Sequence, residues 1–246
     1  MNPFFSIIIP TLNEEKNLPV LLQSIKNQTD QDFEVIVIDS QSTDNTKGEA
    51  EKFINKIPNF KLVIHKCKNV SEGRNYGSAL AKGDFLILFD ADVEMEPNFI
   101  EQIKKKINGD NLDVTTVWNR TKTKSFSGRF ALTLANLGMS IFQNIKPAAN
   151  GPCIIIRKTL FQKLKGFDEE IVFGEDFDLI QRAYKIKAKF KVFKEPILYV
   201  STRRFEKEGL LLTIYKSGKA LLYQLFFGPI KKPIFKYEMG GQYYEK

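Results

Sequence analysis

Two carboxylates one residue apart, Asp90 and Asp92, directly follow the apolar run Phe85-Leu86-Ile87-Leu88-Phe89. Hard oxygen ligands at that spacing suit Mg²⁺ or Mn²⁺ carrying a diphosphate. The same triplet recurs at Asp30/Asp32 and at Asp176/Asp178, so spacing alone decides nothing. Position does: the run before Asp90 reads as a strand buried on both faces, and open parallel sheets bind ligands outside the carboxyl ends of their strands. The competing reading is that Asp92 caps the next turn and Asp90 merely ends the strand. A second acid, Asp39, ends the apolar run Phe33–Ile38, and Asp44 follows it closely. The loop after the first run, Pro10-Thr11-Leu12-Asn13-Glu14-Glu15, carries no glycine. The G-x-G-x-x-G dinucleotide fingerprint is therefore absent there, and no G-x-x-x-x-G-K-[ST] phosphate loop occurs anywhere.

These residues need a scaffold, and the first half of the chain supplies one. Short apolar runs at Phe4–Ile9, Phe33–Ile38, Phe60–His65 and Phe85–Phe89 alternate with helical patterns, the signature of a parallel sheet with crossover helices. Leu18, Leu21, Leu22 and Ile25 recur at helical spacing, Ser42-Thr43-Asp44 offers an N-cap, and Gly73–Ala81 supplies small residues for a closely packed helix. Further on, the pattern predicts a helix at Phe130–Gln143, a strand at Cys153–Arg157, a helix at Glu175–Lys187 and a strand near Phe190–Phe193. No repeat or low-complexity linker separates the halves.

Composition narrows the class. With 246 residues, 43% of them hydrophobic and 27% charged, the chain can fill a sizeable core and is neither fibrous nor disordered. Cys67 and Cys153 are too few and too far apart for a disulfide framework or zinc ribbon, which points to a reducing cytosol. Met1–Pro10 reads as a first strand, not a signal peptide. The net charge of +8 is unevenly spread. Val114–Phe167 holds nine Lys and Arg and no acid, and Ser201–Lys246 is also basic, so the remainder is acidic. Such asymmetry suits a partner that is anionic on one side only.

In order and spacing, Pro10-Thr11-Leu12-Asn13-Glu14, Asp39 with Asp44, Gly73-Arg74-Asn75, Asp90-Ala91-Asp92, Gly166-Phe167-Asp168-Glu169 and Gly174-Glu175-Asp176 resemble the family 2 glycosyltransferases of the GT-A fold. The resemblance runs from about Ser6 to Phe193. It implies an α/β fold with a Rossmann-like, mostly parallel sheet flanked by helices. A nucleotide-sugar half would occupy about residues 1–113, an acceptor half about 114–200, and a basic, apolar helical extension 201–246. It also implies an inverting, metal-dependent transferase that moves a sugar from a nucleotide-diphospho-sugar, UDP-linked in preference to GDP-linked, to an acceptor hydroxyl.

Residue by residue, the resemblance assigns Asp39 to the base, against a capping role. Pro10, Thr11, Asn13 and Glu14 go to the nucleotide pocket, where Asn13-Glu14 reads equally as a helix N-terminus. Arg74 goes to the base or diphosphate, with a surface ion pair as its alternative. Asp90 and Ala91 go to the sugar-nucleotide, Asp92 to Mg²⁺ or Mn²⁺, and Asp176 to the general base. On a helix Glu175 and Asp178 share a face that Asp176 does not, so one set alone points inward. The family's metal-site histidine is missing: the one histidine is His65, at a strand end. In the corresponding stretch stand Arg203 and Arg204, expected to brace the diphosphate instead.

The acid-free stretch contains the apolar run Phe130–Phe142, too short to span a bilayer. Leu210–Phe227 is apolar apart from a stripe of Thr213, Lys216, Ser217 and Gln224, with Lys219 off it, and fits a helix lying in a membrane interface, one docked on the domain, or a dimer contact. Trp118 and the phenylalanines are expected in the core. The acceptor would be a sugar, polysaccharide or lipid-linked group at the cytoplasmic face. A sugar nucleotidyltransferase would want a glycine- and arginine-rich phosphate loop after the first strand, and a module binding anionic lipid or nucleic acid is the non-catalytic alternative. No nucleic-acid module is present.

Overall fold

The computed structural model describes residues 2–124, 126–203, 207 and 209–235. The chain runs β1 (Phe5–Thr11), α1 (Leu18–Lys26), β2 (Phe33–Asp39), α2 (Thr46–Glu51), β3 (Phe60–Ile64), α3 (Val70–Leu80), β4 (Phe85–Phe89) and β5 (Val93–Met95). It continues through α4 (Phe99–Asp110), β6 (Val114–Arg120), α5 (Phe126–Phe142), β7 (Cys153–Arg157), α6 (Lys158–Lys163), α7 (Glu175–Lys185), β8 (Phe190–Val200) and α8 (Leu210–Phe227). All eight strands join one sheet in the order β3-β2-β1-β4-β7-β6-β8-β5.

The parallel half is the one the sequence describes. β2, β1 and β4 read as near-continuous Val, Ile, Leu and Phe because both faces are covered, and every residue of β2 and β4 is buried. β1 pairs in parallel with β2 and β4, and β2 with β3, so Thr11, Asp39 and Asp90 emerge at one edge. α3 can lie close on this sheet because its small residues face it: a Cβ on Gly77 would meet Ile8 Cγ2 at 2.5 Å. That contact sets the height of Arg74, one turn earlier.

Beyond β4 the sheet reverses. β7 pairs antiparallel to β4 and β6, while β6 and β8 are parallel. β6, Val-Thr-Thr-Val-Trp-Asn-Arg, mixes polar and apolar residues, and its Thr115 and Thr116 hydroxyls are buried because they donate to the carbonyls of Lys191 and Cys153. The strand expected near Phe190–Phe193 continues to Val200, and the helix expected from Phe130 begins at Phe126. The phenylalanines are not uniformly core. Phe126, Phe226 and Phe227 are among the most exposed described residues, and Trp118 is only half-buried, donating from Nε1 to Ser140 Oγ.

A candidate active site at the carboxylate edge

The ends of β1, β2 and β4 open onto a cleft of about 560 Å³. Pro10, Thr11, Leu12 and Glu14 line one wall, and Asp90, Ala91 and Asp92 lie at its floor. Glu175 and Asp176 enter from the start of α7, and Arg203 arrives from the segment after β8. Residues spread over more than 190 positions of sequence thus meet in one place.

Two arginines organise these acids, and they do it differently. Arg74 is 1% exposed. Its Nη2 bonds Asp90 Oδ1 at 2.6 Å and the Gly151 carbonyl at 3.0 Å, and its Nη1 bonds Glu175 Oε1 at 3.2 Å. Burial alone would lower its pKa, but Asp90, Glu175 and Asp176 outweigh that and raise it, so it is a permanent cation. Its guanidinium stacks over the Phe167 ring. Asn75 brackets that phenylalanine's backbone, accepting from Phe167 N–H and donating to its carbonyl. The Gly73-Arg74-Asn75 and Gly166–Glu169 motifs are therefore two halves of one joint. Arg203, itself 21% exposed, instead forks onto the buried Glu14, at 2.6 and 3.1 Å, and reaches Asp92 Oδ2 at 3.0 Å.

At the start of α7 the structure sorts three acids that sequence left in competition. Asp178 pairs with Arg182 at 2.7 Å and Glu175 with Arg74. Asp176 has no ion pair among the described residues; its Oδ1 accepts from Phe177 N–H at 2.8 Å. Burial, reinforced by Glu175, pushes the Asp176 carboxyl up to about 7. Gly174, at φ +77, gives the chain the left-handed turn that begins the helix, and a side chain there would collide with Gln224 of α8.

Each expected site residue has a place. Asp39 is buried just behind the wall between Ile38 and Ser40, accepting from Ser42 N–H and Ser42 Oγ. Capping of the following segment falls to Asp44, which accepts from Thr46 N–H. Asn13 turns away from the cleft, and its Oδ1 accepts from Thr43 N–H. Glu14 is held by Arg203 and Asn17. Arg204 lies outside the described residues. His65 stacks on Tyr76 and is not among the cleft residues. Three buried polar atoms in cleft-lining residues have no hydrogen-bond partner among the described residues: Thr11 Oγ1, Arg74 Nε and Asn119 Oδ1. Asn119 carried no sequence signal, because it sits on a strand without a clean alternation.

Residues 6–165 match the profile of Glycosyl transferase family 2. The chain belongs to this family. It is 28% identical over 215 residues to the poly(ribitol-phosphate) beta-N-acetylglucosaminyltransferase TarS of Staphylococcus aureus, an alignment covering 81% of this chain and 36% of that protein. The chain thus spans about a third of that relative. The structure of S. aureus TarS 1-349 in complex with UDP superposes with a TM-score of 0.65 at 25% identity, covering 84% of this chain and 63% of the other. The mannosyltransferase PcManGT from Pyrobaculum calidifontis, in complex with GDP-Man and Mn²⁺, superposes at 0.69 with 16% identity over 89% and 65%. The fold is the GT-A fold that the motifs implied.

Within this family 2 domain, the donor set for a divalent cation is small. Asp90 is committed to Arg74, and among the described residues no three His, Cys, Asp or Glu side chains cluster in the manner of a metal cage. Asp92 remains. Burial, together with Asp90, pushes its carboxyl up to about 7 against the pull of Arg203, so it is an acid short of positive charge. One carboxylate backed by substrate phosphates and water is a sufficient site for Mg²⁺ or Mn²⁺, and the residues fit that group.

Proposed function

We propose that this domain transfers a sugar from a nucleotide-diphospho-sugar to an acceptor hydroxyl with inversion at the anomeric carbon. The observation that carries the reading is Asp176: a recessed carboxylate without an ion pair, in the same cleft as Asp90 and Asp92, on a helix whose other leading acids are both paired. An acid held near pH 7 is suited to taking a proton at neutral pH. The acceptor oxygen attacks the anomeric carbon from the side opposite the diphosphate, its proton passes to Asp176, and the bond to the diphosphate oxygen breaks with its electron pair. No enzyme nucleophile is needed.

The donor's diphosphate lies over Asp92, and its nucleoside runs toward Thr11 and Asp39. Thr11 Oγ1, buried and unpaired, is ready to bond a donor group. Mg²⁺ or Mn²⁺ held by Asp92 would neutralise charge on the departing diphosphate. Arg203 braces the diphosphate from the opposite side. Arg74 fixes Asp90 and Glu175, which leaves Asp176 the leading acid of α7 without an ion pair among the described residues. A UDP-sugar is preferred over a GDP-sugar, because the TarS structure at 25% identity holds UDP, whereas PcManGT, which binds GDP-Man, shares the fold at 16%. The acceptor side is formed by Ala131, Leu132 and Ala135 of α5 with Thr213 and Ser217 of α8.

The test is thermal stabilisation by UDP with and without Mn²⁺, followed by donor turnover. Asp92→Asn is expected to abolish the Mn²⁺-dependent part of the stabilisation. Asp176→Asn is expected to keep UDP binding while lowering turnover about 10²–10⁴-fold. Full turnover in Asp176→Asn, or no response to any nucleoside diphosphate, overturns the reading.

A further inference from the structure

α5 and α8 each carry an apolar stripe that faces outward. In a helix on a water-facing surface the apolar stripe packs inward and the polar one faces solvent. On α5 the outward stripe is Phe126, Phe130, Leu134, Leu137 and Ile141, at steps of four, four, three and four residues, with Phe126 77% and Ile141 66% exposed. Ile145, one turn past the helix, extends the line and is also exposed. The inward face carries Gly128, Leu132, Asn136 and Met139. Asn136 is buried because its amide bonds both backbone groups of Asn119. On α8 the described side chains repeat the pattern. Thr213 and Ser217 line the cleft and Gln224 donates to the Phe173 and Gly174 carbonyls, whereas Leu212, Tyr215, Leu222 and Phe226 face out.

The two helices touch, so the apolar stripes belong to one face. Its charge has one sign. Between Val114 and Phe167, and again between Gly209 and Tyr237, the chain contains no Asp or Glu, while Lys124 and Arg129 stand near one end of α5, Lys146 near the other, and Lys216 and Lys219 on α8. Apolar side chains ringed by cations complement a bilayer carrying anionic headgroups: the rings and aliphatic chains enter the interface and the lysines reach the phosphates. A protein partner would have to supply an equally extended apolar and acidic surface. No helix among the described residues is long and apolar enough to cross a membrane, so contact through this face would be lateral.

We propose that the joint outer face of α5 and α8 docks on an anionic lipid bilayer. Because the opposite sides of the same two helices line the cleft, docking sets the acceptor side about one helix diameter, ~10 Å, from the lipid surface. If the transfer reading above holds, the acceptor is then a lipid-linked hydroxyl taken from that interface. The face itself does not depend on that reading.

The experiment is flotation of the full chain with vesicles of pure phosphatidylcholine and of equimolar phosphatidylcholine and phosphatidylglycerol, at low and high salt, with the oligomeric state followed by light scattering. The wild type is expected to float with the anionic vesicles, less at high salt, and weakly with the neutral ones. The double variant Phe126→Ser, Ile141→Ser is expected to float at least about tenfold less, with unchanged melting temperature and UDP response, since neither residue touches the cleft. Flotation unchanged in the double variant overturns the proposal. So does a wild type that ignores both vesicles, including one that instead forms a dimer broken by the same substitutions. A domain that floats but ignores every nucleotide would sink the transfer reading and leave this one standing.

Discussion

In β2, Val35, Ile36, Val37 and Ile38 are fully buried, whereas in α5 Phe126, Leu134 and Ile141 turn outward while a glycine and an asparagine turn in. The same apolar residue types build the core of one half and the surface of the other. The difference follows from what each half has to satisfy. Parallel strands between two helical layers have no solvent face, so apolar character along them can only be core. α5 and α8 each have one side taken by the cleft and the domain, where Leu132, Met139 and Ala220 are buried, and a second set of apolar residues faces outward. Hydrophobicity thus reports the core along the strands, β7 included, and an outward face on α5 and α8.

The comparison can be broken or sharpened by substitution. The largest effect is expected at Arg74→Ala, which removes the cation shared by Asp90 and Glu175 from a closed site. Denaturant unfolding should show a loss of about 3–5 kcal/mol, against less for Arg203→Ala, because that guanidinium is itself part-exposed and water can take its place. Equal losses would erase the distinction between the two arginines. Ile87→Ala in β4 should cost about 2–5 kcal/mol by the same measurement, being at the centre of the buried sheet.

Asp176→Asn should act in the opposite direction, with a pH signature. In the fold Asp176 holds its proton to about pH 7, and in the unfolded chain it releases it near 3.8, so the acid opposes folding increasingly as pH rises between those values and fully above them. The amide should therefore match the wild type below about pH 4 and be about 1–3 kcal/mol more stable at pH 8. Melting curves across that range decide it, and a variant that is less stable at pH 8 would show that the carboxylate is satisfied as an anion. The smallest effect belongs to Ile141→Ala, expected within about 0.5 kcal/mol in buffer because nothing in the domain covers that side chain. A loss as large as that at Ile87 would mean α5 is packed after all.

The buried strands were legible because their signals are local. Phe33–Ile38 and Phe85–Phe89 announce buried strands by continuous apolarity, the residues after them are the ligand edge, and Cys153–Arg157 reads the same way. β5, β6, α4 and α6 were not read. β6 gives polar and apolar residues in no clean alternation because its threonines are paired inside the sheet, and α4 carries three consecutive lysines, Lys104–Lys106. In the candidate site, types and order were legible but pairing was not. Nothing in the sequence connects Arg203 with Glu14, 189 positions away, or hides Arg74 under Phe167.

The sequence by itself determined a chain with its carboxylates at strand ends, its cations in the second half, and two helices rich in apolar residues. Those follow from residue type and from periods of two and 3.6, which act between near neighbours. Only the tertiary structure decided which acid of Glu175, Asp176 and Asp178 stays without a counter-charge, and which side of α5 and α8 meets the cleft. Both depend on what the fold brings opposite: Arg74 from α3 and Arg182 from the next turn of α7 claim two of the acids, and the cleft takes the side of α5 with Ala131, Leu132 and Ala135 and the side of α8 with Thr213 and Ser217. Periodicity sorts a helix into faces, and packing chooses the one that turns inward.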